Sequence, residues 1–483
     1  MKKLRTFFAL LTAASIFTSC AGGETAETVG TDPVETDTTT VEAEDIYTDL
    51  PTGDFGGEEL VFANETESSN WAILLLDAET INGEVMNDAV YNRNRLVEDR
   101  LNIRIRCESF DNSYQFRDTV SRNVLSGDDP YDVYDLNANL SAPLILDGNF
   151  IPIGELSLDI DKPWWNKTVM DSLTYNGKTY SLAGDISIML WEASLCFMFN
   201  RTMSDNLGLD DHYDLVREGR WTLDAANETM KMAANDVNSD GIADVGDDYG
   251  LTANLRLMSY LMIASGETIT GVDEEGLPYF DGLTPRMSDV FDKIYSYFFD
   301  TNDVFISERV KFTDTSKNWH SIFIDGQALY FFEPIGSNME LRDSPFEFGF
   351  LPLPKYDEEQ EDYITPIIHF AHTMHITTAR GADEMLSAAL ENLAAESYRT
   401  IRPAYFDSII EGKRVQDDDT IEMFDIIFEN RVMNPACIYD WGKITTIINN
   451  CGQTRDPNVA SAIAEALPAI KASIQETIDF YSE

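Results

Sequence analysis

Short strands and helices alternate in the first third of the 483-residue chain, and this order limits the folds open to it. Residues 59–63, 103–107 and 132–136 have the short apolar or alternating pattern of β-strands. Apolar residues at helical spacing lie between these strands and predict two helices, carried by Met86, Val90, Val97 and Leu101 and then by Phe116, Val120 and Val124, with a stop at Gly127. A β-α-β-α-β order predicts a three-layer α/β lobe with a largely parallel sheet.

Ligands of such lobes bind beyond the carboxyl ends of the strands. Asn137 and Asn139 come directly after the third predicted strand, and their amides can donate and accept hydrogen bonds. We therefore predict that both residues contribute to a ligand site.

The N-terminus has the pattern of a bacterial secretion signal. Lys2, Lys3 and Arg5 precede an apolar run over residues 7–17, which is too short to span a membrane as a mature helix. The run ends at Cys20 in the sequence Phe-Thr-Ser-Cys, which resembles a lipobox; a cleaved signal with a chance cysteine is the alternative. We expect residues 1–20 to supply a signal and a lipid-attachment Cys20, residues 21–55 to be a disordered acidic and Thr-rich tether, and the protein to be extracytoplasmic, lipid-anchored to the bacterial cell membrane.

The charge balance bears on possible partners. The chain has 85 Asp and Glu residues against 34 Lys and Arg, a formal net charge of −51. Such a surface repels phosphate backbones, so we expect no nucleic-acid partner. It favours divalent cations and neutral or cationic small ligands, unless a local basic pocket outweighs it. Phosphate-loop, nucleophile-elbow and zinc-helix motifs are missing from the sequence, which weakens an enzymatic interpretation.

The segment 236–247 has the spacing of a calcium-binding loop. Side-chain oxygens fall at positions 1, 3, 5, 9 and 12 of the loop, Gly241 stands where the chain must turn, and position 7 would offer a backbone carbonyl. The predicted ligands are Asp236, Asn238, Asp240, Ile242, Asp244 and Asp247. Ala225, Met230 and Ala233 predict a helix that leads into the loop. We predict one structural Ca²⁺; a solvated acidic turn is the alternative.

Several segments together resemble the extracellular solute-binding proteins, family 1, which serve ABC importers mostly for carbohydrates. The resemblance covers most of the chain from about residue 59 and depends on the order of its motifs. These are Pro163-Trp164-Trp165, residues 176–180, Phe199-Asn200-Arg201, Arg220-Trp221-Thr222, residues 248–251, residues 323–336 and residues 348–356.

The resemblance implies a two-lobed periplasmic-binding-protein-like fold of type II, an α/β architecture with a hinge and an interlobe cleft. Lobe 1 would comprise residues 56–185 plus 331–372, and lobe 2 residues 186–330 plus 373–483, with Gly184 and Asp185 beside the hinge. It also implies a non-enzymatic, monomeric protein that closes on a carbohydrate, an oligosaccharide by expectation, and delivers it to the transmembrane subunits of an ABC permease.

Candidate ligand-binding residues come from this resemblance and from strand ends. A sugar is recognised by an aromatic plate and fixed polar groups. Trp441 matches a late family position that commonly supplies such a plate, Trp191 and Glu192 follow the first hinge crossing, and Glu333 lies at a later one. Asn70 and Trp71 follow the first predicted strand. Two other functions stay open at this point: a secreted calcium-dependent glycan-active enzyme and a surface glycan adhesin.

Overall fold

The computed structural model describes residues 47–65, 75–241, 243–308, 318–342, 344–412 and 418–483, with the side chains of 409–412 excepted. Of the N-terminal unit, residues 1–50, only 47–50 are described, and they include a turn. Residues 51–483 form the second unit, to which all elements given below belong. The predicted signal with Cys20, the tether up to residue 46, Asn70, Trp71 and Ile242 lie outside the described residues.

The described strands, in chain order, are β1 Glu58–Glu65, β2 Ile103–Phe110, β3 Val133–Asn137, β4 Leu195–Asn200, β5 Tyr249–Ala253, β6 Gly271–Val272, β7 Pro278–Tyr279, β8 Val304–Ile306, β9 Ala328–Pro334, β10 Phe348–Leu351, β11 Thr365–Pro366, β12 His372–His375 and β13 Arg431–Val432.

The described α-helices are α1 Val85–Leu101, α2 Ser113–Ser126, α3 Ala138–Leu146, α4 Lys167–Ser172, α5 Met189–Glu192, α6 Arg201–Leu207, α7 His212–Arg217, α8 Leu223–Ala233, α9 Leu257–Ala264, α10 Pro285–Ile294, α11 Trp319–Ile324, α12 Glu384–Glu396, α13 Arg402–Gly412, α14 Asp418–Glu429, α15 Pro435–Tyr439, α16 Ile444–Thr454 and α17 Val459–Ser482. Over the described ranges, none of these helices is both long enough and apolar enough to cross a membrane.

The first sheet has the strand order β12-β3-β1-β2. β1 pairs in parallel with β2 and with β3, and β12 joins β3 in the antiparallel direction. The alternation of strands and helices predicted for this region is therefore confirmed. At the end of α2, Gly127 adopts a left-handed φ of 69° and its N–H donates to the carbonyl of Asn123, which explains the predicted stop.

The second sheet has the order β10-β4-β9-β5-β8. β5 is parallel to both β9 and β8, whereas β4 pairs with β9 and β10 in the antiparallel direction. β4 is buried at every residue, as its apolar sequence Leu-Cys-Phe-Met-Phe-Asn requires. Because the carboxyl ends of β5 and β9 meet at one edge, the residues at and just after these ends lie close together.

The strand pairing moves two of the predicted lobe boundaries. Residues 331–372 were expected in lobe 1, but β10 and the rest of β9 belong to the second sheet. Residues from 373 onward were expected in lobe 2, but β12 is in the first sheet and α12 packs on α1, where Arg100 forms an ion pair with Glu396 at 2.7 Å. The chain thus returns to the first sheet between β10 and β12. About 150 residues separate β4 from β10, and local sequence patterns do not reveal a partner at that distance.

Candidate ligand-binding site

The carboxyl ends of β1 and β3 gather buried polar side chains in the first lobe. His372 lies between two carboxylates, with its Nδ1 3.0 Å from Asp135 Oδ2 and its Nε2 3.4 Å from Glu65 Oε1. Burial lowers the pKa of His372, but the carboxylates outweigh burial and raise it to about 9, so the ring is protonated at neutral pH. Asn137 lies in this group, with its Nδ2 3.5 Å from Glu65 Oε1. Its buried Oδ1 has no hydrogen-bond partner in the described part of the chain.

The carboxyl ends of β5 and β9 form the corresponding edge of the second lobe. Glu333 in β9 accepts a hydrogen bond from Trp319 Nε1 at 2.7 Å and lies 3.4 Å from the Nδ2 of Asn254, the residue after β5. His320 lies between Glu333, at 3.6 Å, and Glu340, at 2.7 Å. Burial opposes protonation of His320, yet these two carboxylates raise its pKa to about 9. Glu333 is therefore held in place by neighbours from two further elements.

A cavity of about 630 Å³ lies among α3, α9, α15, α16 and the segment just before β12. Its volume falls within the usual range of small-ligand sites. Asn139, which follows β3 of the first sheet, and Arg256, which follows β5 of the second, both line it, so the cavity is shared by the two lobes. Its wall combines aromatic rings with polar groups: Tyr114, Tyr260, His369, Phe370, Tyr439, Asp440, Trp441, Lys443 and others.

His369 and Tyr260 place a hydrogen-bond donor at this wall. The backbone N–H of His369 donates to the Tyr260 hydroxyl at 3.0 Å, which leaves the phenolic hydrogen for His369 Nδ1 at 2.6 Å. Burial, and secondarily the positive charge of Arg256, lowers the pKa of His369 to about 3, so its ring is neutral. This pairing assigns the single ring proton of His369 to Nε2.

Trp441 and Asn139 are the two predicted ligand residues that the cavity brings together. Trp441 is 1% exposed, stacks on Tyr439 with ring centroids 4.9 Å apart, and donates from Nε1 to Thr477 Oγ1 at 2.8 Å. Its ring therefore supports the wall, and Tyr439 is the more exposed of the stacked pair. The Asn139 Oδ1 atom is buried and lacks a partner among the described residues.

Trp191 and Glu192 lie apart from that cavity lining. The guanidinium groups of Arg431 and Arg402 lie 3.9 and 4.2 Å from the centroid of the Trp191 ring, and Trp191 Nε1 donates to Asp185 Oδ1 at 2.9 Å. The residue is 5% exposed and Glu192 is 1% exposed. In this conformation protein groups surround both side chains, and their role in ligand binding stays a prediction.

Sequence reasoning did not single out Arg256, Tyr260 or Phe370. Arg256 follows β5 by three residues, so the rule that selected Asn137 and Asn139 would have found it if the short strand β5 had been recognised. Phe370 and His369 precede β12 and lie in the segment that returns to the first sheet, which only the strand pairing reveals.

The predicted calcium loop connects α8 to β5, and the helix expected before it is confirmed. Asp236 Oδ2 accepts from the Gly241 N–H at 2.7 Å, and both oxygens of Asp247 accept backbone N–H groups at 3.1 Å. Gly241 has a left-handed φ of 75°, as a sharp turn there requires. A cavity of about 130 Å³ lined by Asp236, Asp247 and other residues lies against the loop.

The donor set of this loop fits a hard cation, because its side chains offer carboxylate and amide oxygens. Among the described residues, however, no three His, Cys, Asp or Glu side chains are grouped so as to hold a metal ion, and Ile242 lies outside them. Calcium binding therefore stays a prediction.

Comparison with solved structures identifies the fold. The chain is similar to an ABC substrate-binding protein from Listeria monocytogenes in complex with cycloalternan, with a TM-score of 0.56, 13% identity and coverage of 87% of this chain and 99% of that one. It is also similar to a cyclo/maltodextrin-binding protein complexed with maltotetraose (TM-score 0.57, 15% identity, 87% and 98% covered). A family 1 extracellular solute-binding protein from Bifidobacterium longum subsp. infantis matches with a TM-score of 0.55, 14% identity and 86% and 100% covered.

No family model matches the chain, and no curated protein matches it in sequence. At these identities the structural likeness establishes the fold. The chain has the two-lobed α/β fold of the extracellular solute-binding proteins of ABC transporters, and the predicted fold class is confirmed. These structural neighbours are binding proteins rather than enzymes.

Proposed function

We propose that this chain is the substrate-binding component of an ABC importer and that it captures a carbohydrate for delivery to a permease. We expect this carbohydrate to be an oligosaccharide. The observation that carries the proposal is the cavity of about 630 Å³ shared by residues that follow strands of both sheets. A saccharide needs aromatic surface and fixed hydrogen-bonding groups, and both line this cavity. The sugar ligands named for two of the structural neighbours support the same class of ligand.

Lobe closure would act on this cavity directly. Asn139 stands on the side of the first sheet and Arg256 on the side of the second, while His369 lies in the segment that returns between them. A ligand that bridges these residues binds the closed arrangement better than the open one, and this difference in affinity drives closure. The closed protein would be the form that a permease recognises.

The remaining parts of the proposal concern location and metal. Lipid attachment at Cys20 would hold the protein at the outer face of the bacterial cell membrane, with residues 21–55 as the tether. One Ca²⁺ would bind the loop 236–247, through Asp236, Asn238, Asp240, Asp244 and Asp247 and the Ile242 carbonyl, and stiffen the connection between α8 and β5.

A binding screen of residues 21–483 tests the proposed function. Neutral and acidic oligosaccharides, with peptides as the comparison set, are screened by thermal shift and confirmed by calorimetry. A ligand at 100 times its Kd should add about 2.7 kcal/mol of stability. An Asn139→Ala variant should bind the same ligand about tenfold more weakly, because it removes a buried hydrogen-bonding group from the cavity wall.

Asn206→Ala, at an exposed position of α6, is the matched control and should bind normally. Stabilisation by peptides alone, or by no oligosaccharide, would overturn the carbohydrate proposal. Release of shorter sugars during the titration would favour the enzymatic alternative.

A further inference from the structure

Arg256 lines the cavity without a carboxylate partner in the described part of the chain. The chain has 85 acidic residues against 34 basic ones, so acidic side chains are abundant as possible partners. Several other arginines do have such a partner: Arg100 forms an ion pair with Glu396 at 2.7 Å and Arg286 with Glu267 at 3.2 Å. Among the described residues, therefore, no carboxylate is paired with the charge of Arg256.

The position of Arg256 keeps its hydrogen-bond donors available. Its guanidinium carbon lies 4.8 Å from the centroid of the Phe370 ring, which is a cation–π contact. The guanidinium has five N–H donors, and none of them donates to a described residue. The guanidinium of Arg256 therefore offers a fork of donors that can bind two oxygens of one anion.

The charged groups of the lining add up to a positive site. The charged residues of the cavity lining are two bases, Arg256 and Lys443, and one acid, Asp440. Asp440 is already engaged, because its oxygens accept from the backbone N–H and hydroxyl of Thr445 at 2.9 and 2.7 Å and from the Thr446 hydroxyl at 2.7 Å. The Nε2–H of His369 adds a neutral donor. The charged lining residues therefore carry a net positive charge, whereas the chain as a whole carries −51.

We propose that the saccharide bound in this cavity carries an anionic group, a carboxylate or a sulfate, and that the guanidinium of Arg256 binds it. The inference rests on the proposed carbohydrate-binding function and narrows it to acidic glycans. The distant surface charges oppose it only weakly, because at physiological ionic strength the screening length is about 8 Å. A direct ion pair in a partly enclosed cavity is screened much less.

The experiment uses residues 21–483 and oligosaccharides in matched pairs. Each uronate-containing glycan is paired with its methyl ester and each sulfated glycan with its desulfated form, so that members of a pair differ mainly in charge. We expect the wild type to bind the charged member of one pair at least tenfold more tightly. Arg256→Gln should abolish that preference, measured as the ratio of the Kd values for the neutral and charged members of the same pair.

Arg104→Gln removes the same charge from an exposed position of β2 and should keep the preference. Arg256→Lys keeps the charge without the fork and should retain only part of it. Melting temperatures of all variants confirm folding.

Equal or weaker binding of the charged members, or an Arg256→Gln variant that still prefers them, would overturn the inference while leaving carbohydrate binding intact. Binding of no member of any pair would refute the proposed function itself, and the inference with it. Whether the uronate or the sulfate pair responds identifies the anion.

Discussion

The buried His372 should give the protein a defined loss of stability at alkaline pH. Because Asp135 and Glu65 hold its folded-state pKa at about 9, above the ordinary 6.5, the folded protein keeps a proton on His372 that the unfolded chain has released. This contribution is complete below pH 6.5 and is lost as the pH rises from 6.5 through 9. At 1.36 kcal/mol for each pKa unit, it amounts to about 3 kcal/mol.

The assay is urea unfolding of the wild type and of His372→Gln at several pH values between 6 and 9.5. The free energy of unfolding of the wild type should fall over this range, and the fall should be smaller by about 3 kcal/mol in the variant. His320, whose pKa is also raised to about 9, contributes to both proteins and cancels in the difference.

His375→Gln is the matched control for this prediction. His375 lies in the same short strand and is equally buried, but burial lowers its pKa to about 3, so it is neutral throughout the tested range. Its replacement should leave the fall above about pH 7.5 unchanged, because His375 is then neutral in the folded and in the unfolded protein. A fall in His372→Gln equal to that of the wild type would refute the assignment of the alkaline loss to the His372 ion pairs.

Three further changes test the remaining predictions. EDTA should lower the melting temperature of the wild type relative to millimolar Ca²⁺ but have no effect on Asp236→Asn, which lacks a charged loop oxygen; equal wild-type values in scanning fluorimetry would contradict calcium binding. Cys20→Ser should move the protein from the membrane fraction to the medium or soluble fraction on immunoblots, and retention would argue against lipid attachment there. Trp441→Ala should lower the free energy of unfolding by about 3–5 kcal/mol, because the ring is fully buried and bonded to Thr477; a loss below about 1 kcal/mol in urea unfolding would be inconsistent with that packing.

Local patterns predicted the elements of the first sheet well. The patterns that predict α1, α2 and the strands around them involve residues close in sequence. The strands β1, β2 and β3 lie where these patterns predicted them. The same logic placed Asn137 and Asn139 at the carboxyl edge of β3. The pairing of β10 with β4 and of β12 with β3 joins distant segments, so the lobe boundaries near residues 331 and 372 could not be read locally.

The state of individual side chains in the site was less predictable. Sequence suggested Trp191 and Trp441 as ligand plates, yet tertiary neighbours surround both rings: two arginines at Trp191, and Tyr439 with Thr477 at Trp441. Composition likewise suggested neutral or cationic ligands from the total charge, whereas Arg256 and Lys443 give the cavity a local charge of the other sign. The net charge is a sum over the whole chain, whereas a bound ligand interacts most strongly with charged groups within a few ångströms of it.

Gly184, expected beside the hinge, is fixed by a close approach. Its backbone pairs with Trp165, and a Cβ at position 184 would lie 2.5 Å from the Trp165 ring and 2.7 Å from the Trp164 carbonyl oxygen. Gly184→Ala should therefore lower the free energy of unfolding by about 1–3 kcal/mol, since buried neighbours must shift. Gly154→Ala, where a Cβ meets nothing within 4 Å and φ is not left-handed, should change it by less than about 0.5 kcal/mol. Equal changes in the free energy of unfolding for the two variants, measured by urea unfolding, would contradict the close packing inferred at Gly184. A loss confined to Gly184→Ala would mean that the backbone at position 184, just before the chain crosses to the second sheet, packs too closely on Trp164 and Trp165 to accept a side chain.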